Sequence, residues 1–357
     1  MYDIKKQNET DYKKIRLREK MTKLTMADIA RQAGVSKATV SRVLNEPGIV
    51  REKTRKKVLS VIRKEHYSPS EVARSLAKKV SNTVGVLVPE IDNPFFGEIL
   101  RGITNVTNQH GLTLICFNSD NQVSRDFEAL NVLATHRVRG LIYTPAINYT
   151  KGSEERKQLE RCLRNLAAPV VLLDRDIEDL EVGGIFFNDT VGMYEATKTL
   201  IQQGHKKIAI INATLDGYLA KKRHEGYIKA LEESGIPVEE KYQFVGDYID
   251  TEKTYQVSKR LLSMEDKPTA VLTCNNRMSI AFLKAVYESD LTVSDDITWI
   301  GLDKIEALDI IDNGFNYIER DAENMGTGGI NMLMDSMALK TESVKKVLLE
   351  TPVIMRR

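Results

Sequence analysis

From Thr83 onward, short apolar runs alternate along the chain with segments whose apolar residues recur at helical spacing. Phe96, Ile99, Leu100 and Ile103 have that spacing in one such segment. The apolar runs are TVGVLVP, LTLICFN, GLIYTP, PVVLLD, GGIFFN, KKIAIINA, QFVGDY, TAVLTC and TWIGLD. This alternation predicts parallel β-sheets flanked by helices, and the number of runs suits two open sheets better than one. We therefore expect an α/β core of two lobes.

The segment between Lys23 and Lys79 has a different pattern, typical of short helices. Thr25, followed three residues later by Asp28, predicts a capped helix start, and Gly34 predicts the end of that helix. Ser36 predicts the N-cap of a second helix after a tight turn. Apolar residues give the two helices a buried face: Ile29, Ala30, Ala33, Val40, Val43 and Leu44. The pattern predicts a helix-turn-helix, although an ordinary helical hairpin would have the same spacing.

The outward face of the second helix is mostly polar and small. Its residues are Lys37, Ala38, Thr39, Ser41, Arg42 and Asn45. A helix that reads the major groove of DNA presents such a face. A third helix, predicted over Thr54–Lys64, would pack against the first two through Val58, Val61 and Ile62.

Charge is distributed unevenly along the chain, although the formal net charge is only +2. Residues 1–80 carry 21 Lys and Arg against 9 Asp and Glu, a net charge of +12. The remaining residues therefore have a net charge of −10. A basic N-terminal region on an acidic body is suited to attract a polyanion, but charge alone does not separate DNA from RNA or anionic lipid.

Four motifs near the N-terminus resemble those of the lactose/galactose-repressor family of transcription regulators. The motifs are LTMADIARQAGVSKATVSRVLNEPG, TRKKV, HYSPSEVARSLAKK and GVLVPEIDNPFF, and the resemblance extends from about Leu24 to the C-terminus. It implies an N-terminal helix-turn-helix head and a periplasmic-binding-protein-like core, with crossover segments that make each lobe discontinuous. It also implies a homodimer on double-stranded operator DNA, with a repressor favoured over an activator.

The resemblance also implies roles for residues of the head. Lys37, Ala38 and Arg42 would face base edges, and Thr39, Ser41 and Asn45 would hold phosphates or set the register. The capping residues Thr25 and Ser36 are further candidate DNA contacts.

After Pro69, the segment SEVARSLAKK has a small apolar stripe formed by Val72, Ala73, Leu76 and Ala77. A helix of this length is unstable alone in water. It resembles the family's hinge helix, in which Leu76 would wedge between base pairs in the minor groove, with Ala73 on the same stripe. A plain charged linker is the alternative.

These observations predict four regions. Residues 1–22 form a flexible extension, residues 23–68 the DNA-binding head, residues 69–81 the hinge helix and linker, and residues 82–357 the effector-binding and dimerisation core. Met1 and Met21 both remain candidate translation starts.

Polar and aromatic residues follow the predicted strand ends, where ligands of open α/β sheets bind. Carboxylate, amide and guanidinium groups can bond to vicinal hydroxyls, and aromatic faces can cover a sugar ring. The candidates are Asn93, Phe95, Phe96, Asp174, Arg175, Arg223, Tyr248, Asn275, Asp303 and Arg320. A lone Asp after a strand is more often a helix cap, and a lone Phe is more often core. The joint pattern is similar to that of ribose-binding proteins and their regulator relatives.

Three positions depart from the family pattern: Asn276 replaces an Asp, Lys304 replaces an acidic residue, and Arg320 replaces the glutamine of pentose binders. The added cation at Arg320 favours an anionic effector, such as a sugar phosphate or sugar acid, as an alternative to a neutral sugar. Pairing of Arg320 with Asp321 or Glu323 at the surface would remove that preference.

The remaining composition favours a cytoplasmic regulator without a cofactor or metal. No apolar run is long enough for a membrane helix, and Met1–Lys20 lacks the apolar stretch of a secretory signal. Cys116, Cys162 and Cys274 are too scattered for a metal site and are expected to be buried thiols. The chain lacks the common nucleotide-binding and hydrolase motifs, so an enzyme or a transport protein is disfavoured. An activator or a protein corepressor stays possible, and a dimer is preferred to a tetramer.

Overall fold

The structure is a computed structural model that describes residues 24–65, 67, 81–146, 149–293, 295–310, 315–339 and 344–356. It divides into two compact units between Ser81 and Asn82. The predicted extension 1–22 and the hinge candidates Ala73 and Leu76 lie outside the described residues.

The described residues of the N-terminal unit form three α-helices. They are α1 (Met26–Ala33), α2 (Lys37–Asn45) and α3 (Glu52–Lys64), with a short 3₁₀ turn over Pro47–Ile49. Their apolar faces meet in a small core of Ile29, Ala30, Ala33, Val40, Val43 and Val58. The predicted apolar faces therefore pack together, and the third helix begins two residues before its predicted start.

Gly34 ends α1 with φ 60° and ψ 40°, in the left-handed region that glycine adopts without a steric penalty. A Cβ at this position would lie 3.2 Å from Lys57 Nζ. The turn brings Ser36 to the start of α2 after only three residues, so the two helices can cross closely.

The C-terminal unit contains two six-stranded sheets, each belonging to one lobe. Lobe 1 has the strand order β11-β5-β4-β3-β1-β2, with every neighbouring pair parallel. Its strands are β1 (Thr83–Val88), β2 (Thr113–Asn118), β3 (Gly140–Tyr143), β4 (Val170–Leu173), β5 (Gly184–Phe187) and β11 (Lys346–Leu349). Its helices are α4 (Pro94–Gln109), α5 (Val123–Thr135), α6 (Glu154–Leu166) and α12 (Ala322–Leu339).

Lobe 2 has the strand order β12-β10-β9-β8-β6-β7, and only β12 runs antiparallel to its neighbour within this sheet. Its strands are β6 (Ile208–Asn212), β7 (Gln243–Val245), β8 (Ala270–Thr273), β9 (Thr298–Leu302), β10 (Asn316–Ile318) and β12 (Val353–Ile354). Its helices are α7 (Asp189–Gln202), α8 (Tyr218–Glu233), α9 (Thr251–Leu262), α10 (Asn276–Tyr287) and α11 (Glu306–Ile310).

The chain crosses between the lobes three times: after β5, after β10 and after β11. The two-lobed α/β class and the nine predicted strands, β1 to β9, are confirmed. The sequence analysis did not predict β10, β11 and β12, which have three, four and two residues.

The two faces of the lobe 1 sheet form separate apolar layers because successive strand residues point to opposite sides. Val84, Val86 and Val88 pack with α4 and α12 on one face, and Leu87 packs with α5 and α6 on the other. At the α4–α12 contact, a Cβ on Gly326 would lie 2.1 Å from the Ile99 carbonyl oxygen. This spacing requires glycine at position 326.

Cys162 and Cys274 are buried as expected, but Cys116 is exposed. The expectation was wrong for Cys116 because it lies on β2, an edge strand of the lobe 1 sheet. Among the described residues, no helix has the length and apolar character needed to cross a membrane.

Candidate functional site

The helix-turn-helix of the head is held by hydrogen bonds between residues close in sequence. Thr25 Oγ1 accepts from the Asp28 amide, and the Thr25 amide donates to Asp28 Oδ2 at 3.0 Å, which completes a capping box. Ser36 Oγ accepts from the Thr39 amide at 3.1 Å. Thr25 and Ser36, both predicted DNA contacts, thus serve as N-caps in this structure.

The outer face of α2 is accessible, whereas its inner face is in the core. Lys37, Ala38 and Arg42 are exposed, and Val40 and Val43 are buried. Thr39 and Ser41 are half-buried at the edge of this face. Asn45 is the last residue of α2, and its side chain lies outside the described part of the structure. A rigid three-helix core therefore presents two cations and a small apolar side chain on one helix.

In the core unit, several candidate ligand residues occupy the carboxyl ends of parallel strands. Asp174 follows β4 and Asp303 follows β9, with φ values of 63° and 72°. This left-handed conformation is uncommon for residues with a side chain, although Asp tolerates it better than most. Such conformations are concentrated at functional sites, so their repetition at two facing strand ends marks these positions.

Arg320 joins these two carboxylates. Its guanidinium forms a bidentate pair with Asp303, at 2.6 and 2.8 Å, and donates to Asp174 Oδ1 at 3.0 Å. Its Cζ lies 4.2 Å from the Phe95 ring centroid and 5.3 Å from that of Phe187. Burial raises the pKa of Asp174, and the charge of Arg320 opposes that rise. The predicted surface pairing of Arg320 with Asp321 or Glu323 is therefore wrong, since Arg320 is buried with other partners.

Arg223 is the second buried arginine of the cleft. Its Nη1 donates to the Cys274 carbonyl at 2.8 Å, and its Nη2 pairs with Asp189 Oδ2 at 3.2 Å. The Tyr248 ring lies 5.3 Å from Arg223 Cζ, and burial raises the pKa of the Tyr248 hydroxyl. Arg223 Nε and Asp189 Oδ1 have no hydrogen-bond partner among the described residues. One donor and one acceptor are thus left unsatisfied inside lobe 2.

Arg175 ties together three loops of lobe 1. Its Nη1 lies within 2.9 Å of Asn121 Oδ1 and of the carbonyl oxygens of Pro145 and Ala146. The Ala146 amide in turn donates to Asp126, a buried carboxylate that also accepts from the hydroxyls of Tyr143 and Tyr149. Burial raises the pKa of Asp126, and these hydrogen bonds partly offset the rise.

A cavity of about 250 Å³ lies between the two lobes. It is lined by Asn121, Ala146, Arg175, Asp176, Ala213, Thr214, Gly217, Tyr218, Leu219, Ala220, Gly246, Asp247, Tyr248 and Ile249. Burial raises the pKa of the Tyr218 hydroxyl to about 12, so it stays a hydrogen-bond donor at neutral pH. The wall combines amide, hydroxyl and carboxylate groups with small apolar side chains, which suits a small polar molecule.

The ten candidate ligand residues fall into three groups in the structure. Arg175 and Tyr248 line the cavity, whereas Asp174, Arg223, Asp303 and Arg320 are buried and paired. Asn93 and Asn275 belong to the same buried polar group and cap α4 and α10.

Phe95 and Phe96 form the third group, in the apolar core of lobe 1. Their rings pack edge to face with centroids 5.1 Å apart, and only Phe95 also stacks on Arg320.

Sequence reasoning missed six polar residues of the cleft, two of which are Asp176 and Thr214 in the cavity wall. Asn121, Tyr218 and Asp247 line the cavity, and Asp189 pairs with Arg223. Asn121 and Asp189 come shortly after β2 and β5, so the strand-end rule would have found them. Asp247 likewise follows β7 by two residues, whereas Tyr218 lies six residues after the end of β6 and its position gives a weaker signal.

Known proteins resemble both units of this chain. Residues 25–70 match the model of bacterial regulatory proteins of the lacI family. Residues 81–348 match that of periplasmic binding proteins and the sugar-binding domain of the LacI family. A basic helix-turn-helix joined to a two-lobed binding core defines a class of DNA-binding transcription regulators with an effector-binding domain. The chain belongs to the LacI family.

Relatives match over nearly the whole chain. The HTH-type transcriptional repressor PurR of Mannheimia succiniciproducens is 30% identical, covering 93% of this chain and 98% of the relative. Catabolite control protein A of Priestia megaterium is 31% identical, covering 92% and 96%. The crystal structure of the Lac repressor dimer bound to operator and the anti-inducer ONPF is similar with a TM-score of 0.82. It has 26% identity and covers 93% of this chain and 98% of that one.

Proposed function

We propose that this regulator is a cytoplasmic homodimeric repressor whose affinity for a pseudo-palindromic operator changes when a small neutral polyhydroxylated molecule binds between its lobes. The observation that carries DNA recognition is the exposed face of α2. Lys37, Ala38 and Arg42 project from a helix whose opposite face is buried, so base contacts require no rearrangement of the head. The Lac repressor, similar in fold, has been crystallised as an operator-bound dimer, which supports the same arrangement here.

Base reading by Arg42 can be separated from general phosphate attraction. Arg42→Ala should weaken operator binding by about 1–3 kcal/mol if Arg42 bonds to a guanine. Arg63→Ala is the matched control, because Arg63 is an exposed cation at the end of α3. The control should weaken specific and random DNA alike. Equal losses for both variants on both DNAs, or footprinting protection of one half-site alone, would refute this assignment.

Charge pairing in the cleft favours a neutral effector over a sugar-derived anion. Arg320 is matched by Asp174 and Asp303, and Arg223 is matched by Asp189. The extra cation that favoured an anion in the sequence is therefore offset by buried carboxylates. The cavity wall itself carries one guanidinium, Arg175, against two carboxylates, Asp176 and Asp247, so its formal charges do not add up to a cationic site.

Calorimetry against neutral pentoses and hexoses, their phosphates and the corresponding sugar acids tests this choice. A neutral sugar should bind, and Asn121→Ala should weaken its binding by about 1 kcal/mol because the cavity loses a polar group. Tyr287→Phe, at a fully accessible side chain on α10, should leave binding unchanged. Tighter binding of the phosphates than of the parent sugars would overturn the neutral assignment.

Two further roles complete the proposal. Ala73 and Leu76 are proposed as the minor-groove contacts of a hinge helix, and Leu76→Ala should lower operator affinity without changing the unfolding of the core. The relatives are transcription regulators, and we propose that the chain has no catalytic activity.

A further inference from the structure

Glu90 is a buried carboxylate at the end of β1, with 5% of its surface exposed. Its Oε2 accepts from Asn93 Nδ2 at 3.1 Å, and its Oε1 accepts from Asn121 Nδ2 at 3.1 Å. Its third partner is Arg277 of lobe 2, whose Nε lies 3.2 Å from Oε2. A single carboxylate therefore bonds to two loops of its own lobe and to one residue of the other.

The Arg277 contact is part of a wider interlobe junction at the start of α10. Arg277 Nη2 also pairs with Asp92 Oδ2 at 2.9 Å, and Asn276 Nδ2 donates to Asn93 Oδ1 at 2.8 Å. All of these contacts join side chains of the chain itself. The junction thus joins the two lobes through three side-chain contacts.

The Glu90 carboxylate also contacts a residue of the cavity wall. Asn121 donates to Glu90 through its Nδ2 and accepts from Arg175 through its Oδ1, at 2.7 Å. Asn121 and Arg175 both line the cavity. The contacts therefore form a continuous series from Arg277 through Glu90 and Asn121 to Arg175. Because Asn121 uses both ends of its amide, its orientation is fixed by Glu90 and Arg175 together.

We propose that Glu90 is a positioning residue that couples closure of the lobes to the geometry of the effector cavity. When the lobes separate, Glu90 loses Arg277, and its carboxylate is then held by two amide groups alone. Rearrangement of the Glu90 side chain to regain solvation would release Asn121 and thereby loosen Arg175. The proposal rests on the proposed effector role of the cavity only for its biological meaning, since the contacts that carry the coupling join side chains of the chain itself.

Hydrogen exchange of the full-length protein, without DNA or effector, tests this coupling. Arg277→Met removes the interlobe cation while keeping a side chain of similar length. It should raise exchange about tenfold in residues 88–96, and also in residues 119–124, which Arg277 does not contact directly. Exchange in β6, inside lobe 2, should stay unchanged. Asp92→Asn is the control, because Asp92 is 73% exposed and has no bond to Asn121; its effect should be less than about twofold.

A double-variant cycle separates coupling from simple loss of structure. Glu90→Gln should raise exchange in the same two segments, and the double variant Glu90→Gln, Arg277→Met should be no worse than the more affected single variant. If Glu90→Gln fails to fold, the comparison of Arg277→Met with Asp92→Asn still decides. An increase confined to residues 88–96, or no increase in either segment, would overturn the proposal. Operator binding is measured separately, so failure of the DNA-binding role leaves this result unaffected.

Discussion

In the head, Thr25 and Ser36 set the helix starts through hydrogen bonds to residues three positions away. In the core, Arg320 reaches Asp303, 17 residues away, and Asp174, 146 residues away. The head leaves its charged face open to solvent, whereas the core pairs its cleft charges with each other. The difference suggests that DNA recognition requires little more than the local fold of the head. Effector recognition depends on the correct assembly of both lobes.

The largest effect that this comparison predicts is at Arg320. Arg320→Met should lower the free energy of unfolding of the core by about 3–5 kcal/mol, because it leaves Asp174 and Asp303 buried without a cation. Arg101→Met is the control: Arg101 pairs with Glu323 at the surface and should cost no more than about 1 kcal/mol. Denaturant titrations measure both, and similar losses for the two variants would contradict the contrast between buried and exposed pairs.

A second effect depends on pH. The pKa of Asp126 in the folded core is raised by burial above its ordinary value of 3.8. Its contribution to stability is therefore fully present below pH 3.8 and is lost as the pH rises through the folded pKa. Asp126→Asn removes this titration. As the pH rises across that window, the free energy of unfolding of the wild type should fall relative to that of the variant, by at most about 1.4 kcal/mol per pH unit. Parallel curves would indicate that Asp126 does not titrate abnormally.

Asn276→Asp should have a moderate effect, although it restores the residue that the family resemblance implies at this position. Asn93 Oδ1 already accepts from the Phe95 amide, and Asn93 Nδ2 donates to Glu90, so Asn93 cannot turn to offer a donor. The new carboxylate would face an oxygen, and the lobe contact should weaken by about 1.5 kcal/mol. Interlobe distance distributions from spin labels would report it, with Asp92→Asn as the comparison. An unchanged distribution would show that the Asn276 contact is dispensable.

The smallest predicted effect is in the head. Thr25→Ala removes the capping box and should lower the free energy of unfolding of the head by about 1 kcal/mol. Thr25→Ser keeps a hydroxyl acceptor and should recover most of this loss. Circular dichroism of the head's unfolding transition measures it. A loss as large as that of Arg320→Met would show that the head, too, depends on more than local contacts.

The sequence predicted the head almost completely, because Thr25, Gly34 and Ser36 act through neighbours that can be seen in the sequence itself. It also predicted which strand ends carry polar groups in the core. It could not predict that Arg320 would form ion pairs with Asp174 and Asp303, since residues far apart in sequence meet only after folding. Asp189 follows β5 by two residues, so the strand-end rule would have found its position, but its pairing with Arg223, 34 residues away, was not visible in the sequence.

The order of the strands also bears on how the protein is made. β11, at residues 346–349, completes the sheet of lobe 1, and β12, at residues 353–354, completes that of lobe 2. During synthesis, both sheets therefore lack an edge strand until almost the last described residues have left the ribosome. A nascent chain stalled before Lys346 would leave β5 and β10, which are buried interior strands of the finished sheets, as open edges, and open edges promote aggregation. Chaperones that shield such edges would have to act on this chain late in translation, and on both lobes together.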